Sequence, residues 1–267
     1  MLRRIRHQAA LASKRFLYGK RGEPYSIRGH TLRYIPGTRP TKLKYANSEN
    51  DLVARYDALQ LRLITENLSA GDTAIDIGAH CGQYAILMAA LCGFTGQVIA
   101  FEPDPYARVT LAHNIKLNPS IKPPQVEMLA VSDCSGQSFL YSRGGNANSS
   151  LVASALGSPE LNVEEIPVTT VSLDDYLSER KLPQPRWVKI DAEGAEIRIL
   201  RGAQRCLSGN AGVICELHPQ AWAAFDSSLD ELKDLAKVSG RRVRYLDQDN
   251  EIADPTTYGA VVLERVS

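Results

Sequence analysis

The sequence predicts a doubly wound α/β fold built on a mostly parallel sheet, and three observations predict it. From residue 72 onward, apolar runs of strand length alternate with segments of helical length, which is what right-handed strand–helix–strand crossovers require. The runs themselves, TAIDIG at 73–78 and GQVIAFEP at 96–103 among them, are apolar nearly throughout, the pattern of parallel strands covered on both faces. The first run ends in a turn, Gly78-Ala79-His80-Cys81-Gly82, that opens the next helical segment. A turn in that context can receive a cofactor.

Taken in order, residues 1–50 read as a weakly ordered or peripheral basic extension, with SIRGHTLRYIP alternating enough for a strand or hairpin between Ile27 and Ile35. The catalytic unit is expected over 51–267. Leu52, Tyr56, Leu59, Leu63 and Ile64 fall at helical spacing after Asn50 and Asp51, which can open the helix. A helix over 82–93 ends at Gly93, and a second covers 105–118. QVEMLAVSD (125–133) reads as a third strand and GQSFLYSR (136–143) as an added one. The Gly-, Ser- and Asn-rich stretch 144–165 reads as a long loop, of a length that is usually functional or disordered. IPVTTVSLDDYL, the strand RWVKIDAEG, a helix AEIRILRGAQRCL and the strand GVICELHP follow. A helix near 228–238 then precedes a closing pair, RRVRYLD and GAVVLERV.

The 267 residues suffice for one large domain with an extension. Net charge is +1, yet residues 1–44 hold twelve Lys/Arg against one acid, Glu23. Such asymmetry suits either a solvated helix or an arm for anionic partners, with peripheral membrane contact through residues 1–21 as the alternative. The arm lacks the interleaved aromatics that stack on bases, so no nucleic-acid partner is expected. Five cysteines without a C-x-x-C pair exclude a zinc ribbon and favour a reducing cytosol. The N-terminus has no long apolar segment of the signal-peptide kind, and no run approaches a membrane span. The expected localisation is therefore cytoplasmic.

The turn selects the cofactor class. Its glycines let a ligand approach the backbone, and Glu102, at the end of the next strand and 20 residues past Gly82, can grip two ribose hydroxyls. Asp76 stands just ahead of the first glycine. A pyrophosphate there would face a carboxylate at close range, which is costly in a partly buried site. S-adenosylmethionine carries a sulfonium and an ammonium and no phosphate, so the residues favour it over a nicotinamide dinucleotide.

IDIGAHCGQYA, VIAFEPDP, LAHNIKLN, LAVSDCSG, LDDYL, VKIDAEGAEIRILRGA and ICELHP resemble, in that order, the motifs of the FkbM family of S-adenosylmethionine-dependent methyltransferases, over about residues 50–220. The family usually has Asn where this chain has His80. The resemblance implies a Rossmann-like, seven-stranded class I methyltransferase sheet and O-methylation of a hydroxyl on a saccharide, glycolipid or related natural product. It also implies that Asp76, Gly78, Ala79 and Gly82 meet the methionine end of the cofactor and Glu102 the ribose. Ala130 to Asp133 would form the adenine wall, Val131 packing on the ring and Asp133 meeting its amino group. Tyr84 and Asn114 match family positions. An oxidoreductase on a similar fold and a membrane-surface adaptor are the competing readings.

Ligands of open α/β sheets sit at the carboxyl ends of the strands, which gathers Lys189, Asp191, Glu193, Glu216 and His218 around one opening. Methyl transfer to an alcohol needs a base as the O–C bond forms. Asp191 is the first candidate and His218 the second, because histidine titrates near neutrality. Lys189 would orient a carboxylate or bind substrate, and Glu193 and Glu196 can equally serve the helix start. Glu216, with Asn148 and Ser149 of the long loop, would meet the acceptor, the loop closing as a lid. Asp191, Glu216 and His218 are also donors suited to a divalent metal, but no spacing demands one and a metal-free site is favoured.

Overall fold

The structure, a computed structural model, describes residues 11–41, 52–144, 149–156, 163–246 and 259–266, with 52–56 as backbone only. A helix α1 (residues 11–18) precedes the hairpin β1 (Glu23–Ile27) and β2 (His30–Tyr34). The central unit then runs α2 (Leu52–Asn67), β3 (Thr73–Ile77), α3 (Gln83–Cys92), β4 (Gln97–Phe101), α4 (Pro105–Lys116), β5 (Gln125–Glu127), β6 (Leu129–Ser132), β7 (Gly136–Ser142), β8 (Glu164–Ser172), α5 (Leu173–Glu179) and β9 (Trp187–Ile190). It closes with α6 (Glu196–Arg201), α7 (Gln204–Ser208), β10 (Gly212–Leu217), α8 (Pro219–Trp222), α9 (Leu229–Val238), β11 (Arg241–Tyr245) and β12 (Gly259–Arg265).

The main sheet has seven strands in the order β11-β12-β10-β9-β3-β4-β5, with β12 the one strand antiparallel to its neighbours. Strand alternation divides its side chains between two apolar layers. Ile75, Ile77, Val188, Ile190, Cys215 and Leu217 face the layer that α6, α7 and α9 cover. Ala74, Trp187 and Ile214 face the layer beneath α2 and α3. Asp76, Lys189 and Glu216 have the parity of this second set. The face that buries α3 therefore carries three ionisable side chains close to the strand ends, Asp76 being in register with Lys189.

Three segments depart from the sequence expectation. The predicted third strand is two: β5 extends the main sheet, while β6 joins a second sheet of order β6-β8-β7. The switch falls at Met128, whose side chain is exposed. The single helix expected over 195–207 breaks into α6 and α7 at Gly202, which passes so close to the end of β6 that an added Cβ would lie 2.3 Å from the Ser132 carbonyl. Residues 23–34 are not peripheral. Tyr25, Ile27, Leu32 and Tyr34 alternate inward and join the core beneath α3, because a two-stranded ribbon must bury one face to persist.

Candidate functional site

The carboxyl ends of β3, β4, β9 and β10 open into a cavity of about 500 Å³. Its walls differ in character. One side is apolar, built from Phe101, Pro103, Ala107, Leu129, Val131 and Leu140. The other carries Lys189, Asp191, Glu193, Glu216 and His218. Between them lie the turn residues Gly78, Ala79, His80 and Cys81, and Glu102.

The turn is held by backbone chemistry. Gly78 sits at φ 79°, and a Cβ there would fall 1.7 Å from the Asp191 carbonyl; only glycine allows the ends of β3 and β9 to approach so closely. Gly82, at φ 82°, caps α3, and a Cβ there would meet Leu111 at 2.3 Å. Gly82 does not line the cavity. Its place is structural, holding the helix against α4. His80 has φ 46°, a left-handed conformation that Asn, Asp and His tolerate better than other residues.

Glu102 is fixed as an acceptor. One carboxylate oxygen takes the His80 amide at 2.6 Å and the other the Asp104 amide at 2.8 Å. Burial pushes its carboxyl up to about 7, against the pull of those amides and of Arg108, while the Asp104 charge adds to the rise. Asp104, which the sequence reading missed, also caps α4 through the Tyr106 amide and accepts from the hydroxyls of Ser142 and Ser149. The Asp-Pro pair at a helix start was its signal.

Asp76 lies beneath the cavity rather than at its mouth. It is 1% exposed and does not line the opening. Neither of its oxygens has a side-chain hydrogen-bond partner among the described residues, and the Ala85 amide of α3 is the backbone group that pulls on it. Burial lifts its carboxyl to about 6, Lys189 pulling it back and Asp191 adding to the rise. Its side chain follows the strand alternation toward α3, away from the cavity surface and in register with Lys189.

Lys189 is itself 1% exposed, its Nζ 3.0 Å from Asp191 Oδ2 and 4.5 Å from the centre of the Tyr84 ring. Burial would lower its ammonium, but the charges of Asp191, Glu216 and Asp76 outweigh that and raise it. Burial likewise raises Asp191, and Lys189 and His218 overcome it, leaving that carboxyl below its ordinary value. Glu216, which accepts from Gln60 Nε2 at 3.2 Å, is pushed to about 7 by burial and by Asp191. Glu193, at φ 48°, is pushed to about 7 by burial, the His218 charge opposing.

His218 does not titrate near neutrality as its residue type suggests. Burial lowers it, but Glu196 binds Nδ1 at 2.9 Å and, with Asp191 and Glu193, lifts the imidazolium to about 9. Glu196 is wholly buried and also accepts from the Trp222 indole and the Gly194 amide. It holds a ring in place and is not part of the lining of this cavity. Ligand atoms of Asp191, Glu193 and His218 lie within 4.8 Å of one another; Glu193 joins this group in the place expected of Glu216.

Other expected contacts are not brought to the cavity. Asp133 faces Arg201 at 3.8 Å, because β6 has left the main sheet and carries its end away. Asn114, wholly buried, donates to the Cys81 carbonyl and Thr38 and accepts from the Ile35 amide. Ser149 lines the opening with Ser150 and Leu151, its hydroxyl bound to Asp104. Asn148 and the flanks of the expected lid at 145–147 and 157–162 lie outside the described residues, as do residues 1–10 and 42–44 of the basic arm. Among the described residues no helix is long and apolar enough to cross a membrane.

A model of the methyltransferase FkbM domain family matches residues 76–243. The hexuronic acid methyltransferase AglP of Haloferax volcanii is 29% identical over 168 residues, 63% of this chain and 64% of that protein. The chain thus spans just under two thirds of that relative. Among solved structures, methyltransferase FkbM from Methylobacillus flagellatus aligns at 14% identity and TM-score 0.49, over 73% of this chain and 44% of that one. A SAM-dependent O-methyltransferase from Thermotoga maritima aligns at 12% identity and TM-score 0.45, over 92% and 78%.

Proposed function

The chain belongs to the FkbM methyltransferase domain family, and on that premise we propose that it is an S-adenosylmethionine-dependent O-methyltransferase acting on a saccharide hydroxyl. The observation that carries the reading is the two-sided cavity. An acid clamped by two amides stands beside an apolar wall on one side, and a lysine-fixed carboxylate stands on the other.

These residues fit the cofactor. Glu102 would accept from the ribose hydroxyls, Val131 and Leu140 would cover the adenine, and the turn 78–81 would lie along the methionine end. When bound, the cofactor supplies a methyl group on a sulfonium, already a strong electrophile. The protein's remaining work is alignment and proton removal, and alignment alone contributes several kcal/mol of barrier lowering. Asp191 lines the cavity with one oxygen on the Lys189 ammonium, and it takes the acceptor's proton. His218, bonded to Glu196 and facing Glu193, positions the acidic wall and does not serve as the base. Glu216 and Ser149 border the space left for the acceptor. The Haloferax relative named for a hexuronic acid supports a sugar acceptor, and the five free cysteines, four of them buried, fit a reducing cytosol.

The test is calorimetric titration with S-adenosylhomocysteine, followed by mass spectrometry of uronic and neutral saccharides for a gain of one CH2. Asp191→Asn should leave S-adenosylhomocysteine binding intact and lower kcat by about 10²–10⁴-fold. A chain that holds a nicotinamide dinucleotide and ignores the methyl donor overturns the reading.

A further inference from the structure

The acidic wall has a geometry that proton removal does not require. Asp191, Glu193 and His218 come from two loops, after β9 and after β10, and bring three ligand atoms within 4.8 Å of one another at the cavity surface. We propose that this group is a divalent-cation site that holds the acceptor's oxygens beside Asp191, an inference that rests on the methyltransferase reading above.

Support comes from what surrounds the three residues. A ligating histidine ordinarily gives its second ring nitrogen to a carboxylate, which fixes the ring. Here Glu196, wholly buried and itself anchored by Trp222 and Gly194, holds His218 Nδ1. The other nitrogen, Nε2, is thereby turned toward Glu193, 3.6 Å from Oε2. Asp191 is fixed in the same way from behind by Lys189. Glu193 is held in place through its carbonyl, which accepts from the Ser150 hydroxyl.

Charge points the same way. Five carboxyl groups, Asp76, Asp191, Glu193, Glu196 and Glu216, surround Lys189 and His218, and a cation at Nε2 would take the place of the proton that His218 otherwise holds there. Two carboxylates and one imidazole, with the remaining positions open to oxygen ligands from the cavity, suit an oxygen-preferring ion such as Mn²⁺ better than a closed structural zinc site. Two neighbouring oxygens of a sugar, hydroxyl or carboxylate, can complete such a shell. The proton's destination, Asp191, is unchanged.

The test is Mn²⁺ binding followed by electron paramagnetic resonance on the full chain, without acceptor, alongside S-adenosylhomocysteine calorimetry on the same samples. The wild type should bind one Mn²⁺ per chain. Glu193→Gln and His218→Asn should each weaken Mn²⁺ binding by about tenfold or more while S-adenosylhomocysteine affinity stays within threefold, which also reports an intact fold. Absence of Mn²⁺ binding, or binding indifferent to both substitutions, overturns the site while leaving the methyltransferase reading in place. Mn²⁺ binding that follows the substitutions in a chain that ignores S-adenosylhomocysteine keeps the site and overturns the reading beneath it.

Discussion

Glu102 shows how one side chain can carry both geometry and pH dependence. Its two oxygens are taken by the amides of His80 and Asp104, so its remaining lone pairs point in fixed directions. Around it stand the Asp104 carboxylate and the Arg108 guanidinium, of opposite effect, and burial leaves its carboxyl at about 7. Ribose hydroxyls donate best to the ionised form. S-adenosylhomocysteine affinity should therefore be full above about pH 7 and weaken below it, by at most tenfold per unit. Glu102→Gln removes the charge and sets an amino group against one of the two amides. It should weaken binding by about 10–100-fold and flatten that pH limb; a variant that keeps the limb places the titration elsewhere. Gly78 bears on the fold as much as on the site. Its alanine would carry a Cβ into the Asp191 carbonyl at a φ of 79°. Gly78→Ala should cost about 3 kcal/mol or more in urea unfolding.

The hairpin β1–β2 is an element whose importance comes from its attachments. Asn114 of α4 accepts the Ile35 amide just past β2 and donates to the Cys81 carbonyl of the cofactor turn. Asn118, one turn on, both accepts from and donates to the Arg33 backbone. Asn114→Ala would leave a buried amide and a buried carbonyl without partners, so it should lower stability by about 2–3 kcal/mol and loosen S-adenosylhomocysteine binding with it. Unchanged binding would mean that the turn does not depend on the hairpin. These links explain what the sequence could and could not disclose. β3, β4, β9 and β10 were legible because a strand covered on both faces has an apolar pattern that little else produces. Glu102, Asp191 and Glu216 were legible from their places at strand ends. The placement of Asp76 and Asp133 away from the cavity lining was not legible, because the direction of a side chain depends on strand parity and on which sheet receives the strand. The split of 125–133 at Met128 is a matter of tertiary pairing. So is the inward face of the hairpin, since nothing in its own twelve residues names what it packs on. The charge of His218 was hidden for a related reason: three acids of one segment, Asp191, Glu193 and Glu196, more than twenty residues before it decide that charge.

At the scale of the whole chain, one sheet separates two apolar layers, and the cavity spans the strand ends that both layers support. Cys92 lies in the layer under α3, and Cys206 and Cys215 lie in the layer under α6 and α7. All three thiols are buried and pushed up by that burial, Cys92 and Cys206 to about 12, so a thiol reagent reaches them only through opening of the layer that holds them. Cys134 is exposed and should react at once in the native protein. A ligand that binds only the folded chain slows every event that destroys its site, by about 100-fold at 100 times its dissociation constant. Under the reading above S-adenosylhomocysteine touches the turn after β3, Glu102 after β4, Val131 of β6 and Leu140 of β7, and the strand ends that carry this site are held by both layers, so opening of either layer should cost its binding. Labelling of Cys92, Cys206 and Cys215, followed by mass spectrometry at a saturating ligand concentration, should therefore slow by one common factor, while Cys134 is unaffected. Unequal factors for the two layers would show that they open separately, and that the ligand is held by one side of the sheet alone.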